Sequence, residues 1–276
     1  MYGTVCLNGR FVSAEQAFIP AADRGFLFGY GLFETVLINN ARPVFWPLHR
    51  RRLAGGCAEL DLTLPVAENE LDHLVQETID RNGAATGALR LSLSAGPAGG
   101  AGTLLLTIRP LPYGPAEYRR GFKACFAAAS RNEKSPLVRL KTLNYLENLL
   151  ARSRARRRGM DEALFLNTAG GLAEGSASNL FLVKNGCLIT PDIHQGLLPG
   201  ITRRAVLELC RELGLPAAER PVHPAELAEA GECFLTNSLL GVMPLVAVEG
   251  RLINRGRPGS WTEKIAAALN EQREIE

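Results

Sequence analysis

Four kinds of side chain in this sequence could act together on an amine and a phosphate. Lys141 heads "KTLNYLENLLARSRARRRG", just before Leu143, Leu146, Leu149 and Leu150 recur at three- and four-residue steps, the spacing of one buried helical face. In "LLPGITRRAVLELC", Pro199-Gly200 turns the chain into a helix whose first orphan amides belong to Ile201 and Thr202. Such amides, at the positive end of the helix dipole, make a seat for phosphate, and the Thr202 hydroxyl adds a donor. In "PLHRRRLAGGC", Arg50, Arg51 and Arg52 stand about 100° apart around a helix and cannot all face one way. Arg52, beside Leu53, is placed to point inward and pair a phosphate with two arms of its guanidinium. Glu174, in "GGLAEGSASNLFLV", is flanked by small residues that leave room for a flat ring.

Each piece has a plainer reading: a solvated lysine, a helix start capped by threonine, three arginines in water, a glutamate in a turn. Together they are an amine able to form a Schiff base, a phosphate anchor and a carboxylate able to keep a ring nitrogen protonated. Those are the parts a pyridoxal phosphate enzyme needs.

The elements that must position these residues are laid out along the chain. Its 276 residues suit two linked lobes of roughly 100–150 residues each. Apolar residues at 46% and charged ones at 21% place it among globular rather than disordered chains. A net charge of +3 is no ground for a nucleic-acid partner. The run Arg152, Arg154, Arg156, Arg157, Arg158 has no interleaved aromatics and reads as a solvated helix face. No apolar run reaches the roughly 18 residues that span a bilayer, and "MYGTVCLNGRFV" lacks the pattern of a signal peptide. Six scattered cysteines without a CxxC pair read as reduced and buried, and the four histidines give no metal-ligand spacing. The expectation is a cytoplasmic protein without metal or membrane contact.

Asn8-Gly9 in "TVCLNGRFV" reads as a two-residue hairpin turn, and Asn39-Asn40 in "ETVLINNARPVFW" repeats it. "LHRRRLAGGCAEL" and "PVAENELDHLVQETIDRNG" read as helices, the second stopped at Asn82-Gly83. "ALRLSLSAG" alternates, with Leu89, Leu91 and Leu93 on one face and Arg90, Ser92 and Ser94 on the other; "TLLLTIRPL" follows as a buried strand. The prolines and glycine of "RPLPYGPAEYRRG" disfavour helix and strand alike, so a linker at 111–121 separates a lobe at 1–110 from one at 122–276. After the strand "FKACFAAAS" and a helix from 143 to 158 come strands in "EALFLNTAGGLAEG", "NLFLVKNGCLIT" and "ECFLTNS". "GITRRAVLELCRELGLP" is a helix stopped by Gly214 and Pro216. The fold class is α+β in two lobes.

The chain resembles the class IV aminotransferases, or fold-type IV pyridoxal phosphate enzymes. "DRGFLFGYGLFETV", "HRRRL", "KTLNYLEN", "LAEGSASNLFLVKNG", "LLPGITRRAV" and "ECFLTNSLLGVMPL" occur in the family's order over nearly its whole length. The resemblance implies two α/β lobes, the N-terminal one smaller, with pyridoxal 5'-phosphate in the cleft between them. It implies Lys141, in the C-terminal lobe, as the Schiff-base lysine and Glu174 as the residue that holds the pyridine nitrogen protonated. Arg52, Ser238, the Thr202 hydroxyl and the amides of Ile201 and Thr202 would take the phosphate. Phe33 and Thr35 would line the substrate side, where Arg90 and Asn237 are further candidates. At least a homodimer is implied, each active site completed by a loop of the neighbouring subunit.

The family includes branched-chain aminotransferases, D-amino acid aminotransferases and 4-amino-4-deoxychorismate lyases. Thr35 in "LFET", the lysine stretch "KTLNYLEN" and the Asn-Ser of "FLTNSLLGVMPL" are similar to the lyases. The expected reaction is therefore release of p-aminobenzoate and pyruvate from aminodeoxychorismate, a step of folate biosynthesis. The alternative is an aminotransferase using D-amino acids or branched-chain L-amino acids with a 2-oxo acid acceptor; a cofactor-binding protein without turnover is more remote. The loop "SAGPAGGAGT", residues 94–103, lacks both the arginine-glycine pattern of many lyases and the Arg-x-His carboxylate trap of D-amino acid aminotransferases. Arg90, on the polar face of its strand, is the candidate to hold a substrate carboxylate instead; a face turned to water is the other reading.

Overall fold

A computed structural model describes residues 3–275 and divides the chain into two compact units. The first comprises the chain up to Pro112, Leu140–Tyr145 and the residues from Arg273 on. It contains β1 (Thr4–Leu7), β2 (Arg10–Ser13), α1 (Arg24–Phe28), β3 (Gly31–Asn39), β4 (Arg42–Pro43), α2 (Trp46–Glu59), α3 (Glu68–Arg81), β5 (Gly87–Ser94) and β6 (Thr103–Arg109). The strands form one antiparallel sheet in the order β2-β1-β6-β5-β3-β4. Alternation sorts its faces. Leu89, Leu91 and Leu93 of β5 and Leu32, Val36 and Ile38 of β3 are buried with Leu53 of α2 and Leu71, Leu74, Val75 and Ile79 of α3. Burying side chains of this size contributes roughly 1.5–3 kcal/mol each before ordering costs, which pins α2 and α3 to that face. On the opposite face the register pairs Phe33 with Ser92 and Thr35 with Arg90.

Asn8 and Gly9 turn the first hairpin at φ 50° and 79°, as a type I′ turn requires. The second hairpin departs from the sequence expectation by one residue. Asn39 pairs with Arg42, so Asn40 and Ala41 make the turn, at φ 50° and 59°. Alanine in the left-handed region carries about 1–2 kcal/mol of Cβ strain, against roughly 0.4–1 kcal/mol of extra unfolded-chain entropy for glycine. Ala41→Gly is therefore expected to stabilise by about 0.5 kcal/mol. A urea midpoint at or below that of the parent protein would contradict this.

The second unit, Tyr113–Arg139 and Leu146–Gln272, carries α4 (Pro115–Arg120), β7 (Phe122–Phe126), α5 (Leu146–Arg157), β8 (Glu162–Leu166), β9 (Leu172–Gly175), β10 (Asn179–Lys184) and β11 (Cys187–Thr190). Then follow α6 (Ile201–Glu212), β12 (Ala217–Glu219), α7 (Glu226–Glu229), β13 (Glu232–Asn237), β14 (Gly241–Val248), β15 (Arg251–Leu252) and most of α8 (Ser260–Ile275). The sheet runs β12-β11-β10-β13-β14-β7-β8-β9, with β15 also on β14. Its pairs are antiparallel except β11 with β12, β14 with β7 and β7 with β8. The core gathers Leu164, Leu180, Leu182, Leu235, Met243 and Leu245. Along α6, Ile201, Ala205, Val206 and Leu209 are buried, the spacing of a single helical face.

Three expectations are corrected. The segment with Lys141, expected in the C-terminal lobe, packs with the first unit. The helix expected from 143 begins at Leu146, and its leucines do not face a core: Leu146, Leu149 and Leu150 are 67%, 57% and 45% exposed. The face it buries is Asn148, Ala151 and Ala155, the two alanines lying against Cys125, Ala163 and Phe165, where small side chains let the helix sit close to β7 and β8. The stretch expected as linker contains α4. Proline at a first helical position has no N–H to lose, and the Gly114 amide donates to Glu117 at 2.8 Å.

All six cysteines are unbridged, Cys57 and Cys187 being only half-buried. Among the described residues no helix is long and apolar enough to cross a membrane.

Candidate active site

Lys141 is fixed through its backbone. Its carbonyl accepts the Phe33 amide at 2.8 Å, Thr142 bridges to Leu32, and the Leu143 amide donates to the Gly31 carbonyl at 2.9 Å. Residues 141–143 thus run antiparallel along the start of β3. Gly31 permits the close approach, since a Cβ there would lie 2.3 Å from the Leu93 carbonyl oxygen and 2.7 Å from Leu143. The Lys141 Nζ stands 4.3 Å from the Phe33 ring centroid, and Phe33 meets Tyr145 edge to face at 5.2 Å. The Arg90 guanidinium lies 4.0 Å over the same Phe33 ring, its Nε donating to Ser92 at 3.1 Å. One aromatic ring therefore holds an amine and a guanidinium by its quadrupole. A carboxylate is the group that complements these two cations.

Glu34 lies on the sheet face that α2 covers. Arg52 spans its carboxylate, Nε to Oε1 at 2.8 Å and Nη2 to Oε2 at 2.7 Å, while His49 Nδ1 donates to Oε2 at 2.7 Å. An ionised carboxylate only accepts, so Nδ1 carries the histidine proton. Burial works to raise the Glu34 pKa, but the charge and hydrogen bonds of Arg52, and then those of His49, outweigh it and hold the carboxyl at about 2. Burial, reinforced by the charges of Arg52 and Lys141, lowers the pKa of His49. Arg52 does turn inward, as its place beside Leu53 suggested. Its Nε–Nη2 edge is engaged by Glu34. Sequence reasoning missed Glu34 and His49; an acid inside the apolar run "GLFETVLI" was the signal.

In the second unit Glu174, on β9, accepts Arg131 Nη2 at 3.2 Å and the Leu198 amide at 3.0 Å. The Leu198 carbonyl accepts Asn179 Nδ2 at 3.0 Å, and Asn179 faces Thr236 across β10 and β13. A Cβ at Gly200 would lie 2.0 Å from Asn179 Oδ1, so a larger residue there would displace the Asn179 side chain. Thr202, in the first turn of α6, and Thr236 are both buried with hydroxyls that have no hydrogen-bond partner. Two orphaned hydroxyls and a helix start beside one asparagine fit an oxygen-rich anion.

Ser238 follows β13 in a turn that Asn237 builds. Asn237 Oδ1 accepts the amides of Leu239 and Leu240 at 2.9 and 2.8 Å, and its Nδ2 donates to the Ala177 carbonyl at 2.8 Å. Expected at the substrate, Asn237 instead commits its amide to backbone. The loop after Glu174 is held by Glu162, which accepts the Ser176 hydroxyl, the Ser176 amide at 3.1 Å and the Ser178 hydroxyl at 2.9 Å. Arg131, Glu162 and Thr236 were not singled out from sequence, where nothing distinguishes them from other strand-end polar residues.

Residues 31–248 match the amino-transferase class IV family, and the chain belongs to that family. It is 32% identical over 273 residues to a D-alanine aminotransferase of Bacillus licheniformis, covering 96% of this chain and 95% of that protein. To an aminodeoxychorismate lyase of Bacillus subtilis it is 28% identical over 264 residues, covering 89% of this chain and 86% of that one. The crystal structure of a branched-chain amino acid aminotransferase from Escherichia coli superposes with a TM-score of 0.93 at 27% identity, over 99% of this chain and 95% of that one. The protein is thus an α+β enzyme of a family whose cofactor is pyridoxal 5'-phosphate. The orphaned hydroxyls of Thr202 and Thr236 and the start of α6 fit the phosphate of that group.

Proposed function

We propose that the protein is a 4-amino-4-deoxychorismate lyase that releases p-aminobenzoate and pyruvate. The observation that carries the reading is the pairing of Lys141 and Arg90 on the Phe33 ring, an amine beside a carboxylate-binding guanidinium. Lys141 Nζ binds the cofactor and then moves a proton at the amine-bearing carbon of the substrate. Arg90 holds a substrate carboxylate, with Phe33 and Thr35 beside it. Glu174 holds a proton on the ring nitrogen. The Thr202 hydroxyl, Ser238, the amides of Ile201 and Thr202 and Arg52 bind the phosphate. The bound cofactor supplies an electron sink.

Thr35 in "LFET", "KTLNYLEN" and the Asn-Ser of "FLTNS" support the lyase over transamination. The second reading, an aminotransferase, is favoured by the 32% identity to a D-alanine aminotransferase, above the 28% to a lyase. Enzymatically generated aminodeoxychorismate separates the two. Release of fluorescent p-aminobenzoate supports the lyase. No release, together with amino transfer from a D- or L-amino acid to a 2-oxo acid, replaces it with the aminotransferase.

A cytoplasmic homodimer belongs to the same proposal. Leu146, Leu149 and Leu150 on α5, and Phe26 and Phe28 on α1, are exposed apolar side chains of the kind a second copy covers. Leu149→Glu is expected to convert dimer to monomer in light scattering after gel filtration. A dimer that persists would remove α5 from the interface.

A further inference from the structure

We propose that Arg131 is the positioning residue that keeps Glu174 ionised and aimed, so that a proton shared with the cofactor resides on the ring nitrogen. The inference rests on the assignment of Glu174 to that nitrogen.

Arg131 is buried, held through its backbone and both Nη atoms, while its Nε has no hydrogen-bond partner among the described residues. Its amide donates to the Leu166 carbonyl at 2.7 Å, and it bridges to Asn167, just beyond β8. The guanidinium lies 4.0 Å over the Phe165 ring. Nη1 donates to Glu147 at 2.7 Å and, more weakly, to Asn148 at 3.4 Å, while Nη2 donates to Glu174 at 3.2 Å. Glu147 is half-exposed and Glu174 buried, so the charge on Glu174 is the more costly one to leave without this cation. A buried carboxylate left alone takes up a proton rather than carry an uncompensated charge. The guanidinium and the Leu198 amide are both donors, and donors favour the ionised form. A carboxylate made less basic in this way gives up the shared proton to a nearby ring nitrogen. Without the cation the neutral pair gains, with the proton on Glu174. The ring then loses the positive charge that makes it an electron sink.

The test is the 15N spectrum, at neutral pH, of protein loaded with pyridoxal phosphate labelled at the ring nitrogen. Wild type is expected to give the protonated-pyridine signal. Arg131→Gln should move it at least halfway to the unprotonated frequency, and Arg131→Lys, which retains the charge, should restore it. A folded Arg131→Gln protein with the wild-type signal would overturn the proposal, as would a lysine variant that restores nothing. If Arg131→Gln does not fold, the infrared difference between wild type and Glu174→Gln apoprotein decides. Carboxylate bands support the proposal, and a protonated carboxyl band overturns it. Glu174→Gln leaving the 15N signal unchanged would instead overturn the assignment of Glu174 itself.

Discussion

Lys141→Ala protein is expected to fold, bind pyridoxal phosphate without a covalent link and lose catalysis by on the order of 10²–10⁴-fold, the scale of a positioned proton-transferring group. The fold should survive because the bonds that seat residue 141 are made by its backbone: the carbonyl accepts Phe33 and the neighbouring amide reaches Gly31. The side chain adds a contact to the face of Phe33, worth about 0.5–1 kcal/mol at a partly exposed position. Two measurements check this. Borohydride reduction followed by peptide mapping should label residue 141 in wild type and leave the variant unlabelled. The near-visible absorbance of the lysine-bound cofactor should vanish in the variant; if it persists, another amine carries the cofactor. Activity lost with the band would leave lyase and aminotransferase equally open, which is why the substrate assay is separate.

Glu34→Gln is expected to destabilise by about 3 kcal/mol, the lower end of the cost of breaking a buried ion pair, because the amide oxygen still accepts one of the former bonds. The loss is large because Arg52 and His49 both converge on that carboxylate inside the unit. The pH dependence gives a second signature. In the folded protein Glu34 stays ionised down to about pH 2, whereas an unfolded glutamate takes its proton near its ordinary value of 4.5. Between those values the unfolded chain binds more protons, so stability falls as pH falls through that window, by on the order of 3 kcal/mol in all. The lowered pKa of His49 acts in the same direction below pH 6.5. Urea unfolding from pH 7 to pH 2.5 should show wild type losing this contribution while Glu34→Gln, already lacking it, changes less. Parallel curves would mean that Glu34 is not held ionised by its neighbours.

Much of this arrangement is legible in the sequence because it depends on period and turn chemistry. The alternation of Leu89, Leu91 and Leu93, the Asn-Gly turns and the single face of α6 are local patterns with local causes. The helix start after Pro199-Gly200 follows from turn chemistry, and the inward place of Arg52 from its neighbour Leu53. Local pattern misleads where a face has two candidates for burial. Leu146, Leu149 and Leu150 have helical spacing, yet the chain packs Ala151 and Ala155 against β7 and β8 and leaves the leucines outside. Spacing reports that a face is apolar and says nothing about which surface, within the chain or beyond it, covers that face. The ligands of Glu174 and Glu34 are harder still. Arg131 and Arg52 come from elsewhere along the chain and are brought in by packing, so no window of sequence contains the pair.

The six residues from Leu140 to Tyr145 are also a seam. Beyond β4, which covers only its far end, the outer edge of β3 is met by this returning segment. A nascent chain that has reached Pro112 has every strand of the first sheet and an unsealed edge, the kind another chain can pair with. The edge closes only after residue 140 has emerged, and the residues that close it carry the amine. Sealing the sheet and seating Lys141, the amine proposed to carry the cofactor, are therefore one event.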